Sequence, residues 1–265
     1  RTVSVYVIEI PEVFTFSLGD MLLSKFLENQ RAKEVLFSKG AKKAALKNIQ
    51  WMIEQLREKG YVKPGLFFAD YIAQKEGEDI LEAIDFPNGK VIIDLGGATG
   101  GLISVLARKL KEKSLIEQNY RYLVIDNNEY VINWGIRLRK EGGLREVEFI
   151  CKDVTDTKLP FEFADVLISK QLLSALHESS NHTVIFNHFV EANRILKEGG
   201  EYYLIDDLDT PNLIKLYLPA FGFELIKEIK TKGILCLDTY TILSFRKIAT
   251  PKVEEVIYFS SRKSW

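Results

Sequence analysis

"VIIDLGGATGG", residues 91–101, decides how the rest of the chain is read. Apolar, β-branched residues run up to Asp94, Leu95 follows, and glycine fills four of the next six positions. A short apolar run closed by glycines has the signature of a buried strand entering a turn. Glycines let backbone N–H groups approach a ligand closely, and a helix starting just beyond presents partial positive charge. Asp94 falls at the carboxyl end of the expected strand, where open α/β sheets bind their ligands. The structural alternative is a tight strand-to-helix turn with no ligand. The dinucleotide fingerprint needs glycine at its first, third and sixth positions; Gly96, Ala98 and Gly101 occupy them, so the middle one fails. A phosphate-binding P-loop ends in Gly-Lys-Ser/Thr, and no such ending follows. An acid just ahead of the first glycine suits a ligand with a cationic group, such as an amino-acid ammonium, better than a pyrophosphate.

Outward from this loop the pattern alternates. Short apolar runs at 91–95, 122–125, 148–150, 165–169 and 202–205 read as strands. Between them "GGLISVLARKLKEK", "NEYVINWGIRLRKEG" and "HTVIFNHFVEANRILKEGG" read as helices. Such alternation predicts βαβ units and a parallel sheet. The stretch "FELIKEIKTKGILCLDTYTILSFRKI", with a turn signal at Lys232-Gly233, predicts a closing antiparallel pair. Upstream, 2–10 is strand-like, and from 18 to 84 apolar residues recur at helical spacing, as in Ala45, Ile49, Met52, Ile53 and Leu56. The turn signal "PNG" at 87–89 sets the expected boundary. Residues 1–87 are then a mostly helical N-terminal region, and 88–265 a second domain.

The chain has 265 residues, 46% hydrophobic and 28% charged, with a net charge of −1. This is an ordinary soluble globular composition, with no global basic field to hold nucleic acid. No run of about 18 apolar residues occurs, so no membrane span is expected. Cys151 and Cys236 are the only cysteines, both in apolar runs. They are expected to be buried reduced thiols, which favours a reducing, cytoplasmic compartment over a disulfide framework. The chain begins with Arg1 and has no signal-peptide core, which points to a truncated or processed chain.

At this point a family resemblance emerges. "VIIDLGGATGGLISVLARK" resembles the first motif of class I S-adenosylmethionine-dependent methyltransferases, in the Gly-Gly-Gly-Thr-Gly form of many O-methyltransferases, with Ala98 in the middle glycine's place. "YLVIDNNEYV" resembles the second strand, whose terminal acid accepts from the ribose hydroxyls; Asp126 matches it. "VEFICKDVTD" resembles the third strand and adenine loop, with Asp153 and Val154 in place. "FADVLISKQLLSALHE", "FVEANRILKEGGEYYLID" and "LPAFGFELIKEI" follow in the family's order, so the resemblance spans roughly 90–247.

The resemblance implies a Rossmann-like class I methyltransferase fold of α/β class. Its sheet would be mostly parallel and seven-stranded, with an antiparallel C-terminal hairpin, preceded here by the mostly helical N-terminal region. It implies S-adenosyl-L-methionine as cofactor, held by Asp94, Gly96, Gly97, Ala98, Thr99, Gly100, Asp126, Asn127, Asp153, Val154 and Ser169. The methyl on Ala98 fits if its φ is negative. Asp126 has a structural alternative as a helix cap, and Asp153 as a turn aspartate. The stretch "KEKSLIEQNYR" lengthens the path to the second strand and is expected to be a surface loop.

Methyl transfer to a hydroxyl needs a base as well as orientation. Of three histidines, His177 in "LLSALHE" resembles the Leu-His-Asp element of plant-type O-methyltransferases, whose histidine is the base; Glu178 replaces the aspartate. Its structural alternative is a partly exposed loop histidine. His182 and His188 are expected at the start and on the face of the next helix. The three make no zinc pattern with carboxylates or cysteines, so no metal is expected. The Asn/Asp-Pro-Pro-aromatic tetrapeptide of some amino-methyltransferases is absent; Ser169-Lys170-Gln171 stands there, with Lys170 expected to face solvent.

The leading reading is a methyltransferase of a small-molecule acceptor, at oxygen. Alternatives are an RNA or protein methyltransferase using the basic stretch 31–63, where nine Lys/Arg meet three Glu, or a non-catalytic binding module. Nucleic acid is the less favoured partner, because such a stretch also makes an ordinary solvated helix face. The N-terminal helices are expected to serve as a lid, an acceptor-binding surface or a homodimer contact.

Overall fold

A computed structural model describes residues 70, 73–74, 77–78, 80–82, 84, 91–113, 120–178, 182–206, 210–232 and 239–251. The expected strand at 2–10, the helices and basic stretch up to residue 69, the turn at 87–89, the surface loop within 114–119, the Lys232-Gly233 turn and Cys236 lie wholly or partly outside the described residues.

The strands are β1 (Val91–Leu95), β2 (Arg121–Asp126), β3 (Val147–Cys151), β4 (Ala164–Lys170), β5 (Leu196–Asp206), β6 (Phe223–Lys232) and β7 (Thr239–Lys247). They form one sheet in the order β3-β2-β1-β4-β5-β7-β6. The first five run parallel, and β7 lies antiparallel to both β5 and β6. The parallel crossovers carry α1 (Gly101–Lys113), α2 (Glu129–Glu141), α3 (Leu172–Glu178), α4 (His182–Ile195) and, beyond β5, α5 (Thr210–Tyr217). This is the expected seven-stranded sheet with its antiparallel C-terminal hairpin. Strand order reverses between β1 and β4, and a crevice opens at the carboxyl ends of strands flanking such a switch.

Period-2 alternation sorts the strands' side chains to two cores. Ile93, Leu95, Leu123, Ile125, Leu167, Tyr202 and Leu204 face the layer of α3, α4 and α5. Ile92, Tyr122, Val124, Val166, Ile168, Tyr203 and Ile205 face α1 and α2, together with Ile80, Leu81 and Ile84 from the helical region before the sheet. Each fully buried Leu, Ile or Phe contributes about 1.5–3 kcal/mol through its burial. The edge strand β6 carries Glu224, Lys227, Glu228, Lys230 and Lys232 and has a register shift between Leu225 and Lys227, which discourages pairing with other chains.

Two expectations change here. The helical pattern expected through Gly200 stops at Ile195, because Leu196 pairs with Ala164 and begins β5. The Gly199-Gly200 pair is a kink inside that strand: Gly199 has φ +74°, and the register shifts between Ala164 and Val166. Cys151, the last residue of β3, is exposed, with Sγ 3.7 Å from the Asn127 carbonyl. Strand β3 is the sheet's outer edge, so its apolar run does not secure burial for its final residue. No helix among the described residues is long and apolar enough to cross a membrane.

Candidate active site

The loop after β1 is tied down residue by residue. The Gly96 and Gly97 amides both donate to the Ile125 carbonyl, at 2.7 and 3.2 Å. The Ala98 amide donates to Asp126 Oδ2 at 3.1 Å, and the Asn128 amide to Asp126 Oδ1 at 2.9 Å. The Gly100 amide closes back on the Gly97 carbonyl at 2.8 Å, and α1 begins at the next residue. Asp126 thus joins the loop to the end of β2. It is not the cap of α2; Asn128 is, its Oδ1 accepting from the Val131 amide.

Gly97 is required by close approach. A Cβ there would lie 2.7 Å from both Cγ and Oδ2 of Asp94, so the backbone passes directly over this carboxylate. Ala98 departs from expectation: its φ is +49°, not negative. The residue is exposed, and its amide's hydrogen bond to Asp126 accompanies this left-handed conformation.

Asp94 is the electrostatic centre. It is 1% exposed, and its Oδ1 has no hydrogen-bond partner. Burial, reinforced by the nearby Asp126 charge and opposed by Lys170, raises its pKa to about 7. Burial also raises Asp126, against the pull of the backbone amides that bond it. A buried, unsatisfied carboxylate oxygen beside a glycine turn is a place for a cationic ligand group. Asp153 lies exposed after β3, its Oδ1 accepting from the amide and hydroxyl of Thr155 at 2.8 and 2.7 Å. The three acids do fall along one edge of the sheet.

On β4, Ser169 is buried and Lys170 is half-buried. Contrary to expectation, Lys170 does not simply face solvent: its ammonium lies 5.2 Å from the centre of the Tyr240 ring and 3.3 Å from Gln171 Oε1. It interacts with the Asp94 charge on neighbouring β1 and with the Tyr240 ring on β7. Ser169 joins a polar chain that the sequence did not announce. His188 Nδ1 lies 3.1 Å from the Val154 carbonyl, Nε2 lies 2.7 Å from the Tyr202 hydroxyl, and Ser169 Oγ is 3.1 Å from the same hydroxyl. A carbonyl only accepts, so Nδ1 carries the proton; Tyr202 then donates to Nε2, and Ser169 to Tyr202. Burial lowers the His188 pKa to about 4, which keeps the ring neutral and this direction of donation in place. The chain links the end of β4 to Val154 after β3. His177 lies in α3 and His182 opens α4.

A family model for the methyltransferase domain matches residues 87–242, more than half of the chain. The chain belongs to this methyltransferase family. No protein of curated function matches it. Among solved structures, the [4+2]-cyclase SpnF aligns at 16% identity over 66% of this chain and 82% of its own, with a TM-score of 0.54. A SAM-dependent methyltransferase from Aquifex aeolicus aligns at 16% identity over 64% and 89%, TM-score 0.52. The N-methyltransferase NodS from Bradyrhizobium japonicum, solved with S-adenosyl-L-homocysteine, aligns at 14% identity over 66% and 87%, TM-score 0.52. At such identities the likeness is one of fold. This methyltransferase uses S-adenosylmethionine as cofactor, and the orphaned Asp94 oxygen beside the glycine turn fits its cationic methionyl end.

Proposed function

We propose that this methyltransferase transfers the methyl group to the oxygen of a small-molecule acceptor. The reading is supported chiefly by the Gly-Gly-Ala-Thr-Gly form of the turn after β1 and by His177 on α3; a small apolar depression among α3, α4 and α5, lined by Leu173, Phe186, Thr210, Ile214 and Tyr217, accompanies them. Helix α3 starts just beyond the carboxyl end of β4 and α5 just beyond that of β5, on the ligand side of the sheet. The first residue of α3, Leu172, leans on the cofactor loop: a Cβ on Gly96 would lie 2.8 Å from its Cδ1. His177 comes one helical turn after Leu173 on the same short helix.

In this reading Asp94 receives the ammonium of the methionyl group, Asp126 the ribose hydroxyls, and Asp153 and Val154 flank the adenine. S-adenosylmethionine supplies a methyl already activated on a sulfonium. The protein's tasks are to align the acceptor oxygen and remove its proton, and His177 is the base. His177→Ala should lower kcat about 10²–10⁴-fold while leaving the dissociation constant for S-adenosylhomocysteine unchanged. A single-turnover assay against a panel of small phenols and hydroxylated apolar compounds measures the first, calorimetry the second. Undiminished kcat removes His177 from the mechanism.

A further inference from the structure

We propose that Asp70, in the helical region ahead of the sheet, is a positioning residue for the cofactor loop. The inference rests on the reading of 96–100 as the cradle of S-adenosylmethionine. Asp70 is 3% exposed, and both of its oxygens are engaged. Oδ1 accepts from the Thr99 hydroxyl at 2.7 Å. Oδ2 accepts from Arg139 Nη2 at 2.5 Å and from Gln74 Nε2 at 2.7 Å. Arg139, itself 4% exposed, donates through Nη1 to Ser104 Oγ, and the Ser104 hydroxyl in turn donates to the Gly100 carbonyl. Two separate routes therefore run from one carboxylate to the loop, one ending at Thr99 and the other at Gly100.

Steric contacts close the same arrangement. A Cβ on Gly101 would lie 2.9 Å from Ala73 Cβ and 2.9 Å from the Asp70 carbonyl oxygen. A Cβ on Gly135 would lie 2.9 Å from the Thr99 carbonyl oxygen and 2.5 Å from Phe149 Cε1. The second half of the loop is thus clasped between the Asp70 segment and α2. Asp126 holds the first half through Ala98. An ion pair this buried is a poor source of net stability, since apolar side chains of similar volume often serve as well. What it supplies is directional restraint on a chain segment rich in glycine, which otherwise has to be ordered when the ligand arrives.

The test uses the full chain and S-adenosylhomocysteine in calorimetric titration. Asp70→Asn and Thr99→Val should each raise Kd about tenfold, the effect of ordering roughly one more residue on binding. Ser104→Ala, which cuts only the Gly100 route and keeps the ion pair, should raise it severalfold and covers the case in which Asp70→Asn fails to fold. Ile80→Ala, a core truncation in the same helical region, should lower Tm and leave Kd within twofold. In the double variant the Asp70 and Thr99 effects should not add, because both cut one link. The proposal is overturned if Thr99→Val and Ser104→Ala lower Tm while Kd stays within twofold, or if the Asp70 and Thr99 effects add fully. Absence of heat from the unsubstituted protein at millimolar ligand overturns the cofactor reading of the loop together with the proposal.

Discussion

Ala98 and Asp94 show how single residues hold strain for a ligand. An alanine in the left-handed region costs about 1–2 kcal/mol. Glycine there relieves that strain but gives back about 0.4–1 kcal/mol through the freer unfolded chain. Ala98→Gly should therefore stabilise the protein by about 0.5–1 kcal/mol, read from urea unfolding. A loss of stability means that the φ of +49° is not strained at this position. Asp94 is held near a pKa of about 7 by burial and the Asp126 charge. The carboxylate must be charged to hold an ammonium, so cofactor affinity should rise with pH up to about 7 and level off above it. Calorimetry in buffers of different ionisation enthalpy should detect proton release on binding near pH 6. Asp94→Asn should abolish this pH dependence and weaken binding about 10–100-fold, the worth of one charge-assisted hydrogen bond. Both residues stand in the opening motif, where their identities were visible in the sequence. The sign of φ at Ala98 was not; it goes with a hydrogen bond to a residue 28 positions away.

At the scale of elements, α4 carries more than the apolar stripe its sequence advertises. Phe186, Phe189, Ala192 and Ile195 bury against the sheet as the helical spacing requires. The same helix sends His188 to the Val154 carbonyl and Tyr202, and Glu191 to the Thr157 amide at 2.8 Å. These contacts pin the loop after β3 to α4. Tyr202→Phe removes the hydroxyl that serves both His188 and Ser169 and leaves a buried imidazole nitrogen unsatisfied. It should cost about 1–3 kcal/mol. Chemical denaturation measures the loss, and a cost below about 0.5 kcal/mol means that the hydroxyl is dispensable to the chain. From the sequence, His188 read only as a histidine on a helix face. Its partners come from a loop 34 residues earlier and a strand 14 residues later, which no local pattern records. The end of α4 escaped for a related reason: helical spacing continues past Ile195, but pairing of Leu196 with Ala164 claims the chain for the sheet.

For the whole molecule, two buried groups oppose each other across acidic pH. Asp94 titrates at about 7 in the fold against 3.8 as its ordinary value. The folded state holds the extra proton, so this group's contribution to stability falls as pH rises from about 4 to 7. His188 titrates at about 4 in the fold against 6.5. Here the unfolded state binds the extra proton, so its contribution grows from about pH 4 to 6.5. Each slope is about 1.4 kcal/mol per pH unit, and over the shared window they largely offset. In His188→Gln the Asp94 slope is left without its counterweight. Relative to the parent, that variant's unfolding free energy should decline by up to about 3 kcal/mol between pH 4 and 6.5. Asp94→Asn should show the opposite tilt. Stability-against-pH curves that stay parallel for parent and variants would falsify the balance.

The order of the strands from β1 onward, the helices α1 and α2, the glycine turn, and the acids toward the carboxyl ends of β1, β2 and β3 were set by the sequence alone. They rest on period-2 and helical spacing, on turn residues, and on motifs only a few residues long, all of which are local. The tertiary structure decided what those residues experience. It left an Asp94 oxygen buried without a partner, turned Ala98 into the left-handed region, drew Lys170 over Tyr240, and brought Asp70 and Arg139, 69 residues apart, behind the cofactor loop. Desolvation and hydrogen-bond partnership are sums over neighbours from distant parts of the chain, and only the folded arrangement supplies those neighbours.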